Sequence, residues 1–249
     1  MAGTAVLGRL TWLVAEVTAT ATETPRVRTL VLDADGWRGH RAGQHLDVRL
    51  TAEDGYQAER SYSIASAPGE PPAITVERLD DGEVSPYLVD EVREGDRFEI
   101  RGPIGGYFVW DADDTRPLLL VGGGSGVVPL MAMIRHREAA GGTSRARLLY
   151  SSRTLEDVIY REELDGLAAR MDGFEVFHTL TRAQPERWTG YGRRIDSAIL
   201  RDVAWPPAEG PQVFICGSTR LVEQVAEGLI ALGYEPRSIK TERFGATGS

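Results

Sequence analysis

The residues Leu118-Leu119-Leu120-Val121-Gly122-Gly123-Gly124-Ser125-Gly126-Val127-Val128-Pro129 decide how the rest of the chain is read. Four apolar residues in a row, without alternation, fit a strand covered on both faces, as in a parallel sheet. Glycines follow at once, then a helical stretch over 127–140 closed by Gly141-Gly142. Glycines at such a turn let the main chain approach a pyrophosphate, whose charge is stabilised by free amides at the helix N-terminus. The spacing is not G-x-G-x-x-G, so it predicts a different variety of nucleotide-binding loop. A flexible strand-to-helix turn is the bland alternative. The loop's place after the first strand of a βαβ pattern weighs against it.

Working outward towards the C-terminus, the alternation repeats. Strands are expected at 146–151, 174–180, 212–216 and 238–243, with helices near 160–170 and 221–232. Alternating elements of this kind imply a doubly wound, five-stranded parallel sheet. Towards the N-terminus the pattern changes. Residues 45–50 alternate strictly, with Leu46, Val48 and Leu50 on one face and His45, Asp47 and Arg49 on the other. Further short β runs at 26–32, 60–64, 73–78 and 97–101, separated by Gly, Pro and Asp turns, suggest a barrel or sandwich. The change falls after Asp111-Ala112-Asp113-Asp114, so two domains are expected, 1–113 and 114–249.

Composition narrows the chemistry. The apolar and charged fractions, 42% and 26%, are those of a globular protein. No apolar run approaches the ~20 residues a membrane span needs, and the start, Met1 to Leu10, lacks a secretion signal. Cytoplasmic residence without membrane insertion is the expectation. A net charge of −9 disfavours nucleic acid as a partner. The local basic clusters at Arg38-Gly39-His40-Arg41 and Arg193-Arg194 read as solvated faces. Cys216 is the single cysteine, so this chain alone builds no disulfide and no cysteine-ligated cluster or zinc site. His40, His45, His136 and His178 show no paired metal-ligand spacing, and no metal is expected. Redox chemistry would come from an organic cofactor.

Two stretches suggest what that cofactor touches. Arg60-Ser61-Tyr62-Ser63 places a cation and an aromatic on one strand face, suited to an anion beside a planar ring. Gly82-Glu83-Val84-Ser85-Pro86 predicts an N-cap serine with proline at the first helical position. Such a helix start offers amides to a phosphate, provided Glu83 points away. On the nucleotide side, NAD sites often hold the ribose with an acid about 20 residues past the glycines. Here the second strand ends Tyr150-Ser151-Ser152-Arg153, and Arg153 and Arg161 are available for a 2′-phosphate. This tilts the choice to NADPH, while Glu156 and Asp157 keep NADH open. Thr181-Arg182, beyond the third parallel strand, either contacts the nucleotide or stabilises a turn.

Taken in order, Arg60-x-Tyr62-Ser63, Gly82-x-x-Ser85, Gly102-Pro103-x-Gly105, the glycine loop, Cys216-Gly217 and Glu242-x-Phe244 resemble the ferredoxin–NADP reductase superfamily. More narrowly, the chain looks like bacterial flavin reductases that serve oxygenases. The resemblance runs from about Trp12 to Phe244 and implies an N-terminal antiparallel β-barrel for FAD followed by the NAD(P)-binding α/β domain. By resemblance Arg60 meets the FAD pyrophosphate and Tyr62 stacks on the isoalloxazine. Ser63 lies near flavin N5, which needs a bend, since alternation puts it opposite Tyr62. Gly82, Val84 and Ser85 bind the pyrophosphate, and Val76, Glu77 and Arg78 run along the flavin through main-chain contacts. Gly122, Gly123, Gly124, Ser125 and Gly126, with Ser152, Arg153 and Arg161, hold NADPH. Cys216 and Gly217 lie beside the nicotinamide, Glu242 near the flavin–nicotinamide contact and Phe244 against the flavin. Ser63, Cys216 and Glu242 are the implied catalytic residues.

Two departures stand out: Ser218 follows Cys216-Gly217 where the family has proline, and Gly245 to Ser249 continue past Phe244. The implied reaction is hydride transfer from NADPH to FAD, then single electrons to a separate ferredoxin or an oxygenase or P450-type component. A fused ferredoxin is not expected, because four cysteines are lacking. The alternatives are an NAD(P)H:flavin or quinone reductase with a small-molecule acceptor, a protein using FMN, and a non-catalytic redox-sensing subunit.

Overall fold

The computed structural model describes residues 10–244. The segment read for a secretion signal, apart from Leu10, and the extension past Phe244 lie outside the described residues. Strands β1 (Leu13–Thr24), β2 (Val27–Ala34), β3 (His45–Thr51), β4 (Gln57–Ser63), β5 (Ala73–Glu77) and β6 (Arg97–Ile104) form one antiparallel sheet, in the order β4-β3-β6-β1-β2-β5. The alternation of β3 is realised. Leu46 and Val48 face a core that also holds Ala15, Val17, Leu30, Leu32, Ile74 and Ile100. An isolated pairing of Ile64 with Ile74 brings the two edges of the sheet together at one end, the step that turns a sheet into a barrel.

Strand β1 was not anticipated, although it is the longest among the described residues. Its pairing with β2 shifts register between Val17 and Ala19 and again between Thr22 and Thr24. Each bulge moves the buried side chains to the other face, so no continuous alternation survives in the sequence.

The second half is the expected five-stranded parallel sheet. Strands β7 (Leu118–Gly123), β8 (Ala146–Ser152), β9 (Phe174–Leu180), β10 (Gln212–Gly217) and β11 (Ile239–Arg243) lie in the order β11-β10-β7-β8-β9. Helices α1 (Val127–Ala139), α2 (Arg161–Arg170), α3 (Ser197–Val203) and α4 (Thr219–Ala231) connect them. Helix α3 was also missed. It is short, and it is fixed by Asp196, whose Oδ1 accepts from the amides of Ala198 and Ile199 at 3.0 and 2.9 Å.

Helix α1 joins the two halves. Residues Val127 to Ile134 are all buried, as expected for a helix covered all round. One side meets Leu118, Leu120 and Leu148 of the sheet, and the same apolar cluster takes in Ala42, Phe108 and Trp110 from the first half. The seam between barrel and sheet is therefore a continuous core. No helix among the described residues is long and apolar enough to cross a membrane.

One local expectation is corrected. Ser85 does not cap a helix: its Oγ accepts from the Leu79 amide at 3.0 Å, pinning the loop before it. The turn that follows is a π-helical one at Tyr87–Glu91, and its start is closed by main chain, with the Leu88 amide donating to the Val84 carbonyl at 3.1 Å.

Candidate functional site

The carboxyl ends of three neighbouring parallel strands bring the key residues together. Cys216 of β10 pairs in register with Gly122 of β7 on one side and Glu242 of β11 on the other. This edge is where open α/β sheets receive ligands. The Cys216 thiol donates weakly to Glu242 Oε2 at 4.0 Å. Burial, and next the Glu242 charge, push that thiol well up, so it stays protonated and unreactive. Burial also pushes the Glu242 carboxyl up to about 7, well above the ordinary carboxylate range. A buried thiol and a carboxyl that titrates near neutrality thus form the floor of the edge.

The glycine loop rises beside them. Gly124 has φ of +55°, a conformation that disfavours a side chain. A Cβ at Gly126 would lie 2.2 Å from the Cys216 carbonyl oxygen, so loop and strand meet main chain to main chain. No side chain caps the turn 124–126 or the start of α1, and the Val127 amide at that start donates to the Gly124 carbonyl, so any free donors for an anion lie within the turn itself. Gly123 and Ser125 complete this turn, and Gly217 closes β10. The Phe244 amide donates to the Gly217 carbonyl at 2.9 Å, and its ring packs on the apolar seam.

Of two further residues of this region, one is given no role by the sequence reading and the other is left open by it. Tyr150, buried in β8, donates to the Gly124 carbonyl at 3.1 Å and accepts from the Ile159 amide at 3.3 Å. It ties the glycine loop to the loop after β8. A phenol directly after the apolar pair Leu148-Leu149 was the available signal. The other is Arg182, whose amide donates to the Arg153 carbonyl at 2.9 Å, setting the two arginines on adjoining loops. Arg153, Arg161 and Arg182 are exposed, and none is ion-paired among the described residues. Ser152 beside them is buried. Thr181 is held in a turn, its amide and hydroxyl both donating to the Ser152 carbonyl. The Asp157 carboxylate is committed to the Thr154 amide and hydroxyl.

The barrel contributes the other wall. Ser63 is 4% exposed, and its Oγ has no partner among the described residues. An unpartnered buried hydroxyl costs on the order of 1–3 kcal/mol, a cost that a bound polar group would remove. Tyr62 is half-buried and packs against the barrel core, and burial pushes its phenol up. Arg60 is exposed and paired with Glu83 at 3.3 Å. Tyr56 donates to the same carboxylate. Glu83 therefore does not turn away from Arg60, as a phosphate there would require. Gly82 packs under Ser85, where a Cβ would lie 2.9 Å from Oγ, and Val84 is buried. Val76 is buried and Glu77 half-buried, and the Arg78 guanidinium is occupied by Asp90 at 2.7 Å and by Asp80. Glu77 faces the glycine loop, its carboxylate 3.9 Å from where a Gly124 Cβ would stand.

The unpartnered Ser63 hydroxyl and the glycine cradle at 122–126, where Ser125 alone carries a side chain, fit a flavin on the barrel side and a nicotinamide nucleotide on the sheet side. A cleft of about 380 Å³ lined by Trp110, Arg116, Arg237 and Lys240 lies at the opposite edge of the sheet and includes none of these residues.

Comparison with known proteins finds one family match in each half. Residues 14–109 match the oxidoreductase FAD-binding domain family and residues 120–227 the oxidoreductase NAD-binding domain family. A ferredoxin–NADP reductase B of Sorangium cellulosum is 35% identical over 212 residues, covering 82% of this chain and 84% of that protein. A glycine betaine monooxygenase reductase subunit of Chromohalobacter salexigens is 32% identical over 211 residues, 83% of this chain. The match spans 56% of that relative's length. In fold, the chain superposes on the FAD/NAD-binding domain of a Vibrio cholerae nitric oxide dioxygenase with a TM-score of 0.84. The identity is 23%, with 94% of this chain and 98% of the other covered.

Proposed function

The chain belongs to the ferredoxin–NADP reductase superfamily, and from that premise we propose that it takes hydride from NADPH onto bound FAD and passes electrons singly to a separate protein. The acceptor in this reading is a ferredoxin or the oxygenase or P450-type component of a multi-protein system, and the protein works in the cytoplasm, where its nucleotide is. The chain divides at residue 114, inside the connector between β6 and β7. The bound flavin supplies the conversion between a two-electron donor and one-electron acceptors.

One observation carries the proposal: Gly122, Cys216 and Glu242 lie side by side at one sheet edge, and Glu77 of the barrel strand faces Gly124 of the same loop. A flavin held by the barrel residues and a nicotinamide held by the sheet-edge residues would meet across this seam, the close approach that hydride transfer requires. Cys216, kept neutral by burial, would pack against the nicotinamide rather than attack it. Glu242 holds a proton near neutral pH at the ring contact. Ser63 offers its free hydroxyl to the flavin edge. Arg60 would meet the pyrophosphate only with its carboxylate partner Glu83 displaced from it.

Arg153 and Arg182, adjoining and without carboxylate partners among the described residues, support NADPH over NADH. The committed Asp157 points the same way. Arg161, exposed at the start of α2, is the further cation of this group.

Anaerobic titration of the purified protein with NADPH and with NADH tests the proposal. Bleaching of a flavin band, faster with NADPH, is expected, and release of the chromophore should yield FAD rather than FMN. A colourless protein that takes up neither flavin refutes it.

A further inference from the structure

Tyr160 is the one non-glycine residue among those described with a positive φ, +60°, yet it is 2% exposed. A bulky residue in this conformation is a rare outlier that persists only where its surroundings over-determine it. The surroundings are a hydrogen-bonded chain across the seam. The Tyr160 hydroxyl donates to Thr75 Oγ1 of β5. Thr75 and Thr29 are cross-strand partners of β5 and β2, their hydroxyls 2.8 Å apart. Thr29 donates to Glu23 Oε1 of β1 at 2.6 Å.

The order of donation in this chain is forced. Thr29 has one proton and gives it to the carboxylate, so Thr75 must donate to Thr29 and receive from Tyr160. Arg135 of α1 closes the assembly, with its guanidinium 4.8 Å from the Tyr160 ring centre. It pairs with Glu163 at 2.6 Å and donates to the Ala65 carbonyl of the barrel at 2.8 Å.

The Tyr160–Thr75 link of this chain adjoins the candidate site from both sides of the seam. Thr75 immediately precedes Val76 and Glu77, the strand segment facing the glycine loop. Tyr160 ends the loop that begins at Arg153, and its neighbour Ile159 is bound to the Tyr150 hydroxyl that also holds Gly124. We propose that Tyr160 is a positioning residue, which locks the nucleotide loop 153–160 to the flavin-bearing strand β5 and so sets the stacking of the two rings. This rests on the function proposed above. It assigns Tyr160 no contact with either cofactor. Its effect is on geometry at the moment of transfer rather than on the affinity for either ligand.

The test is rapid-mixing reduction of the FAD-loaded protein by NADPH over a range of nucleotide concentrations. Tyr160→Phe keeps the ring and removes the donor. Thr75→Val removes the acceptor with little change of shape. Each single variant is expected to lower the saturating rate of flavin bleaching by about tenfold, in keeping with the steep loss of rate on small misalignment. Flavin content and the half-saturating NADPH concentration should stay close to wild type. The double variant should be no slower than the slower single variant, because both remove one link.

A wild-type saturating rate in both single variants overturns the inference. So do losses that multiply in the double variant, or a change confined to half-saturation. If Tyr160→Phe does not fold, Thr75→Val alone decides by the same split between rate and half-saturation. If wild-type protein holding flavin is not bleached by NADPH at all, the functional proposal has failed instead.

Discussion

Replacing Glu242 by Gln isolates the effect of burying a titratable carboxyl at the ring contact. Burial raises its pKa from 4.5 to about 7 in the folded protein, a shift worth about 3 kcal/mol at ~1.4 kcal/mol per pH unit. The folded-state pKa is the higher one, so folding favours the protonated form. The stability this gives is fully present below about pH 4.5 and is lost as pH rises through about 7. Glutamine resembles the protonated acid in shape and never ionises. Glu242→Gln should therefore match wild type in acid and be more stable in mild alkali by a margin approaching 3 kcal/mol. Urea unfolding of both proteins, with equal flavin loading, at a series of pH values from about 5 to about 9 measures the margin directly. A difference that does not change with pH would refute the reasoning, because the carboxylate would then be solvated in the folded state. A difference of opposite sign would mean that an unrecognised cation pairs with it.

Ser63→Ala removes a buried hydroxyl that has no protein partner, so unfolding in urea should show stability unchanged or raised by up to ~1 kcal/mol. Flavin reduction by NADPH should nevertheless slow, and an unaltered bleaching rate would remove Ser63 from the site. Arg182→Ala and Arg153→Ala should each weaken NADPH binding by about tenfold while leaving NADH unaffected, read by titration of each nucleotide. Equal losses for both nucleotides would show that the pair does not read the 2′-phosphate. Asp196→Ala strips helix α3 of its cap and should lower stability by about 1 kcal/mol in the same urea assay, with no effect on flavin reduction.

The sequence was legible where local pattern and long-range packing demand the same thing. The apolar run at 118–121 is a central strand because it is covered on both faces, and Leu46 and Val48 alternate with Asp47 and Arg49 because one side of β3 is core. Legibility failed where tertiary structure overrides local preference. The bulges of β1 scramble its period, and its buried side chains near the N-terminus, Ala15 and Val17, are small. The Ser85-Pro86 pair carries a capping signature, but the Leu79 amide claims the serine oxygen first. Nothing local marks Tyr160, a residue whose strained backbone is held by partners 85 positions away. Arg182 was read as undecided because only the folded chain puts it beside Arg153.

The contact between Gly126 and the Cys216 carbonyl bears on how such loops evolve. With only 2.2 Å for a β-carbon, any larger residue would pry the first connecting helix off the sheet, whether or not a nucleotide ever visits. Descendants that had abandoned dinucleotides altogether would still be obliged to keep this glycine. Its survival in a lineage is testimony about architecture, whereas relaxation at Gly124, which faces the seam, would be the earlier symptom of a lost ligand.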